Sequence, residues 1–181
     1  MRTCFAVFVV GAVIASGLIP ATAAAQEPAR GEVYGGFLWT TGLSDGVPST
    51  NLFGAVGEGT GYVNEWFGIT GEVGWSTREL VEFVEFRQSE LTFAGGPRFR
   101  FANDSRVTPS LRALVGGRQE RWSFMGESYS QTHFVIFVGG AVDIRASELI
   151  SVRVQPDLVL WPDDGVIETS FRLSAGLVFA F

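Results

Sequence analysis

Lysine is absent from this chain of 181 residues, histidine and cysteine occur once each, and methionine occurs twice. All thirteen basic residues are therefore arginine, against nineteen acidic ones, and the net charge is −6. Nucleic acid is excluded as a partner, because its recognition rests on clustered cations. One histidine and one cysteine exclude a transition-metal site built from soft ligands, so no metal site is expected. Asp163-Asp164-Gly165 reads as an acidic turn. No cofactor is expected either: the run Gly54–Gly61 lacks the lysine of a phosphate loop and leads into another strand. Its glycines suit a tightly curved strand. Long apolar runs are missing after Ala25. A spanning helix requires about 20 apolar residues, so any membrane-integral part must cross as a β-barrel.

The one apolar stretch lies at the N-terminus. Met1-Arg2-Thr3 precedes an uncharged segment from Cys4 to Ala25 that ends in Ala23-Ala24-Ala25. A basic residue, an apolar run and small residues at the cleavage positions are the parts of a secretory signal peptide, predicted over residues 1–25. Residues 26–181 then form one domain without cysteine, and no disulfide holds it.

What the chain does contain is 23 glycines, 16 phenylalanines and five tryptophans on an alternating background. Alternation of this kind predicts an all-β fold. Eight strands are predicted, near 31–41, 51–63, 66–77, 89–102, 107–118, 132–145, 149–161 and 167–181. Short polar connectors (Asn64-Glu65, Asn103–Arg106, Ala146–Glu148) alternate with longer ones (Gly42–Thr50, Arg78–Gln88, Gln119–Gln131) and with the compact Pro162–Gly165. Within Arg78–Gln88 the alternation persists over Glu79–Phe86, which predicts a ribbon projecting past the membrane. Short turns on one side and long loops on the other are the pattern of an up-and-down transmembrane barrel.

Cost assigns the faces. An arginine facing lipid near mid-membrane costs about 2–4 kcal/mol. Leu91, Phe93, Gly95, Phe99 and Phe101 share one parity, while Arg98 and Arg100 share the other. Arg112 opposes Leu111, Ala113 and Val115, and Arg153, Gln155 and Asp157 oppose Val152, Val154 and Leu158. His133, Asp143 and Arg145 oppose Phe134, Ile136, Val138, Val142 and Ile144, and Thr70 and Glu72 oppose Phe67, Ile69, Val73 and Trp75. In the second strand Glu58 alone chooses the inward parity. The final strand sets Phe171, Leu173, Ala175, Leu177, Phe179 and Phe181 against Arg172, Ser174 and Gly176, and it runs to the last residue. A bare apolar strand at a soluble terminus would be an aggregation-prone edge; a closed barrel in lipid has none. Trp39, Trp75 and Trp161 near the long loops, with Trp66 after a short turn, suit interfacial aromatic girdles.

Ser174-Ala-Gly176-Leu-Val-Phe179-Ala-Phe181 ends on an aromatic, with a second aromatic two positions earlier. With the turns and the aromatic belt, it makes residues 26–181 resemble the small eight-stranded outer-membrane barrels of Gram-negative bacteria, of outer-membrane protein A and X type. The glycine-rich Gly54–Tyr62, followed by a turn and Trp66–Trp75, resembles their second hairpin. The resemblance implies an eight-stranded antiparallel barrel in the outer membrane. It also implies an assembly signal at Ser174, Gly176, Phe179 and Phe181, read by the barrel-insertion machinery. Outer-membrane lipids and lipopolysaccharide are the expected surroundings, and the expected state is a monomer.

Inside an eight-stranded barrel there is room only for side chains. Glu58, Glu72, Arg98, Arg100, Arg112, Arg153, Asp157 and Arg172 are accordingly expected as a lumen network of paired charges. His133 lacks a serine two residues on, and its parity points inward although Glu127, Ser128 and Ser130 are near in sequence. No catalytic residue is assigned and no enzyme activity is expected. Trp122, Phe124, Met125 and Tyr129 make the Gln119–Gln131 loop unusually aromatic and a candidate contact surface. The sequence thus favours a structural or surface-binding barrel acting in adhesion or envelope integrity through its loops. The alternatives are a narrow, low-conductance pore and a soluble lipocalin-type barrel with its apolar face around a ligand.

Overall fold

The computed structural model describes residues 30–43, 51–81, 85–101, 105–124, 127–163 and 166–181; the expected signal peptide lies outside them. Eight strands follow one another: β1 (Gly31–Gly42), β2 (Asn51–Tyr62), β3 (Phe67–Val81), β4 (Glu85–Arg100), β5 (Val107–Phe124), β6 (Glu127–Arg145), β7 (Ile150–Asp163) and β8 (Val166–Ala180). Each pairs antiparallel with its sequence neighbours, and β1 pairs with β8, closing an up-and-down barrel. Closure runs to the end of the chain: Phe181 and Gly31 exchange two backbone hydrogen bonds of 3.0 Å. No backbone edge remains inside the membrane, which is what a sheet in lipid requires.

The faces divide as the parities predict. Phe37, Val73, Phe93, Leu111, Phe134 and Leu177 are among the many large apolar residues exposed on the outside. Arg98, Arg153, Arg172 and Gln155 are among the largest fully buried side chains. A lipocalin-type barrel would put the apolar parity inside, so that alternative is overturned. Among the described residues apolar side chains gather inside in two patches, Leu114–Val135–Phe137–Val159 and Tyr34–Val56–Val178, and Leu38 and Leu52 are buried there as well.

Local chemistry fixes the turns. Asn64 Oδ1 accepts from the backbone N–H of Trp66 and Phe67 at 3.0 and 2.7 Å, an Asx-type cap on the β2–β3 turn. Ser147 Oγ accepts from Ile150 N–H at 3.1 Å in the β6–β7 turn. The tight curvature is set by inward glycines: a Cβ on Gly54 would lie 1.8 Å from the Trp75 carbonyl oxygen, and one on Gly176 2.1 Å from that of Gly35. The ladders break at Pro97 and Pro156, which lack the N–H to continue them.

The long-loop end departs from expectation in one respect. Gln119–Gln131 is not a loop; β5 continues to Phe124 and β6 starts at Glu127, paired up to Phe124–Glu127. Of the expected ribbon at Glu79–Phe86, the ends of β3 and β4 are paired up to Val81–Glu85, and residues 82–84 lie outside the described residues. In Gln119–Gln131 strand pairing outweighs the polar residues, because each additional pair satisfies backbone groups that a loop would leave to water.

Candidate functional site

Seven of the eight expected lumen charges converge. Glu58, Glu72, Arg98, Arg112, Arg153, Asp157 and Arg172 are all at most 4 % exposed. Arg112 grips Asp157 with two donors, Nε to Oδ1 at 2.9 Å and Nη2 to Oδ2 at 2.7 Å, and its Nη1 meets Glu58 and, at 2.7 Å, Glu72. Arg172 bridges Glu72 at 2.7 Å and Asp157 at 3.2 Å. Arg153 reaches Glu58 at 2.8 Å, and Arg98 lies 2.8 Å from the same carboxylate oxygen. The network ties β2, β3, β4, β5, β7 and β8 together across the lumen, and its forked geometry is what arginine, unlike lysine, can supply.

Three members escaped the sequence reading. Glu32 on β1 lies 3.1 Å from Arg98 and 2.7 Å from Arg153. Asp143 on β6 accepts twice from Arg153, at 2.6 and 2.7 Å, and Gln155 accepts from Arg98 at 2.8 Å. Asp143 and Gln155 already had inward parity; Glu32 sits in a glycine-rich strand whose alternation is weak. Four arginines therefore face five carboxylates in this layer.

Arg100 is the exception among the expected eight. It shares the inward parity but sits half-buried at the short-turn rim, its guanidinium 3.9 Å from the Tyr62 ring centroid and its Nε donating to the Glu65 carbonyl at 3.2 Å. Four strand residues separate Glu72 on β3 from the rim, and Arg100 lies beyond that distance. A second, smaller cluster stands nearer the long-hairpin end. There Arg118 contacts Glu90 at 2.8 Å and Glu120, with Trp161 stacked 4.2 Å from its guanidinium. Trp161 therefore faces the lumen and is not a girdle residue, as the inward parity it shares with Arg153 and Asp157 requires. Trp39 and Trp75 do lie on the outer parity, while Trp66 stands in the β2–β3 turn and stacks on outward-facing Phe99 with ring centroids 6.0 Å apart.

His133 is half-buried on the inner parity and pairs in register with Arg118. Ser128 and Ser130 lie on the opposite parity of the same strand, and Ser128 Oγ is 3.1 Å from Ser123 Oγ. Side chains on opposite faces of a strand cannot share a proton relay. Among the described residues no group of three or more His, Cys, Asp or Glu could hold a metal ion.

Of the aromatic quartet, Trp122 and Tyr129 are cross-strand partners on the inner parity, and Tyr129 is 68 % exposed. Phe124 is the last residue of β5, and Met125 lies outside the described residues. At the chain end Phe179 and Phe181 point outward, at 49 and 51 % exposure, while Ser174 is buried inward.

The comparisons agree with this geometry. Residues 11–179 match the model of the outer membrane protein beta-barrel domain. Neisserial surface protein A has a TM-score of 0.68 at 14 % identity, over 86 % of this chain and 100 % of that one. The attachment invasion locus protein Ail of Yersinia pestis has 0.60 at 17 %, over 84 and 100 %. A further structure of Ail holds the heparin analogue sucrose octasulfate. The N-terminal barrel domain of Pseudomonas aeruginosa OprF has 0.56 at 11 %, over 86 and 100 %. Among curated proteins no match was found. A closed barrel with charge inside and apolar side chains outside, matched over nearly its whole length, is a bacterial outer-membrane protein, and the chain belongs to the outer membrane protein beta-barrel domain family.

Proposed function

We propose that this barrel is a non-catalytic surface-contact protein that presents β3–β6 as a single sheet above the membrane. The pairing registers carry this reading. β3–β4, β4–β5 and β5–β6 stay paired to Val81–Glu85, Phe86–Phe124 and Phe124–Glu127. By contrast β2–β3 pairing stops at Phe53–Thr77 and β6–β7 pairing at Ile136–Leu160. Among the described residues Glu127–Val135 of β6 thus has no partner on its β7 side, about 30 Å of edge. Nature usually blunts such an edge, and one left open offers its backbone groups to another chain. The similarity to a protein named for attachment supports the same reading.

The narrow-pore alternative meets a lumen crossed by paired arginines, and Arg98, Arg153 and Arg172 are at most 1 % exposed. Lipopolysaccharide is the expected surrounding of the projecting sheet. Ser174, Gly176, Phe179 and Phe181 would serve as the signal for the barrel-insertion machinery; in the closed barrel the aromatic pair faces outward.

The test is excision of residues 119–132, joining Arg118 to His133 by a short turn, in cells that lack other adhesins. Loss of adherence to epithelial layers, with unchanged sensitivity to detergent, is the expected result. Unchanged adherence would refute the proposal.

A further inference from the structure

Three successive rows of inner-parity residues cross β3–β6 where the sheet leaves the lumen. Strand pairing sets them as Gly74–Thr92–Arg118–His133, Ser76–Glu90–Glu120–Gln131 and, furthest out, Arg78–Gln88–Trp122–Tyr129. All three rows share one face of the sheet, because side chains alternate along a strand with a period of two. Burial falls along them. Arg118, Glu90 and Glu120 are buried, Arg78, Gln88, Trp122 and His133 are half-buried, and Tyr129 and Gln131 are exposed. Trp122 and Tyr129 are direct cross-strand partners, so the two side chains are neighbours on that face. Gln88 is the partner of Trp122 on its other side, and Gln131 follows Tyr129 two residues on along β6. Among the described residues no hydrogen bond within the protein engages either side-chain amide.

The make-up of these rows selects the occupant. Arg78 and Arg118 balance Glu90 and Glu120 in number, and both glutamates are held by Arg118. The three rows carry no net charge, so neither a polyanion of the kind bound to Ail nor a cationic chain is drawn to them. No aliphatic side chain stands in the three rows, which leaves a lipid tail or the apolar side of a peptide without a dry seat. What they offer is two aromatic rings bordered by amides, a guanidinium and an imidazole. An aromatic face carries negative charge density that attracts weakly positive C–H groups, and each amide presents both a donor and an acceptor. A pyranose has the matching make-up, with C–H groups on its ring faces and hydroxyls around its edge. We propose that this face binds an uncharged glycan, its pyranose rings on Trp122 and Tyr129 and its hydroxyls on Gln88, Gln131 and Arg78. The outermost row spans three strand spacings, about 14 Å, which suits an oligosaccharide rather than a single sugar. β-Linked glucose-type chains fit best, because their equatorial hydroxyls leave both ring faces to C–H groups. The inference rests on the surface-contact reading and names its partner class.

The test uses full-length protein in phosphatidylcholine nanodiscs, with empty nanodiscs subtracted. The probe is fluorescent cellopentaose, an uncharged β-linked glucose chain, with sucrose octasulfate as competitor. Cellopentaose should bind with an affinity that sodium chloride leaves unchanged, and sucrose octasulfate should fail to displace it. The double substitution Trp122→Ser with Tyr129→Ser should weaken binding at least about tenfold, since aromatic anchors dominate such contacts. Gln131→Ala, at an exposed position, should weaken it about threefold through one lost hydrogen bond, and it carries the test should the double variant fail to fold. An unchanged heat-dependent gel shift confirms that each variant is folded. Absence of cellopentaose binding at millimolar concentration, displacement by sucrose octasulfate, or unaltered binding by the folded variants overturns the proposal. If hairpin excision abolishes adherence yet cellopentaose does not bind, the partner class falls and surface contact stands. If cellopentaose binds with the expected variant pattern while excision leaves adherence intact, the site stands and the adhesive role falls.

Discussion

Arg112→Met should destabilise the barrel by about 3–5 kcal/mol, the range for removing one partner from a buried ion pair. Arg112 is 2 % exposed and touches three carboxylates, so methionine fills much of its volume while leaving Glu58, Glu72 and Asp157 short of a cation. Glu72 and Asp157 keep Arg172, and Glu58 keeps Arg98 and Arg153, which holds the loss within that range. Three arginines would then face the five carboxylates of the layer. Adding Asp157→Asn returns the excess to a single carboxylate and should recover at least about 1 kcal/mol, a coupling typical of residues in one network. Arg112→Lys keeps the charge but loses the two-pronged grip on Asp157 and should fall between. The assay is urea unfolding in phospholipid vesicles, read by the fraction that keeps the fast-running unboiled band on gels. A loss below about 1 kcal/mol for Arg112→Met, or no recovery in the double variant, would refute a network that holds the lumen together.

Other outcomes follow from local geometry. Gly54→Ala should block folding, because its Cβ would overlap the Trp75 carbonyl, whereas Gly59→Ala, with nothing within 4 Å, should be neutral or stabilising by up to about 1 kcal/mol; refolding yield separates the two. Asn64→Ala removes the acceptor for two turn N–H groups and should cost about 1 kcal/mol in the same urea assay. Planar-bilayer recordings of the wild-type protein should be silent, because paired arginines cross the lumen; steady unitary conductance would revive the pore. Phe181→Ser should slow assembly more than it lowers equilibrium stability, measured as folded fraction against time in vesicles containing the insertion machinery.

Strand number, order and facing were legible because the cost of charge in lipid forces one strict alternation, which survives even where glycines dilute it. Arg98, Arg112, Arg153 and Arg172 declared themselves by parity alone. Parity says which way a side chain points but not at what height, so Arg100 was grouped with the central network although it ends at the rim. Glu90, Arg118 and Glu120 were hidden for a different reason: they stand where strands were expected to give way to loops. Beyond Leu91 and Phe134 the outer parity turns polar, with Ser89, Thr132 and Ser130, so a pattern search that follows one apolar parity stops there. The extension of β5 and β6 lies in that stretch, and Trp122 paired with Tyr129 is its clearest mark.

The most direct test of the account is a cysteine scan of the even positions of β6 in a Cys4→Ser background, with a membrane-impermeant maleimide applied to intact cells. Labelling at Ser128, Ser130 and Thr132, and none at Phe134, Ile136, Val138, Val142 or Ile144, is the predicted result. Labelling at Ile136–Val142, or none at Ser128–Thr132, would contradict a barrel that spans the outer membrane and raises β3–β6 above it.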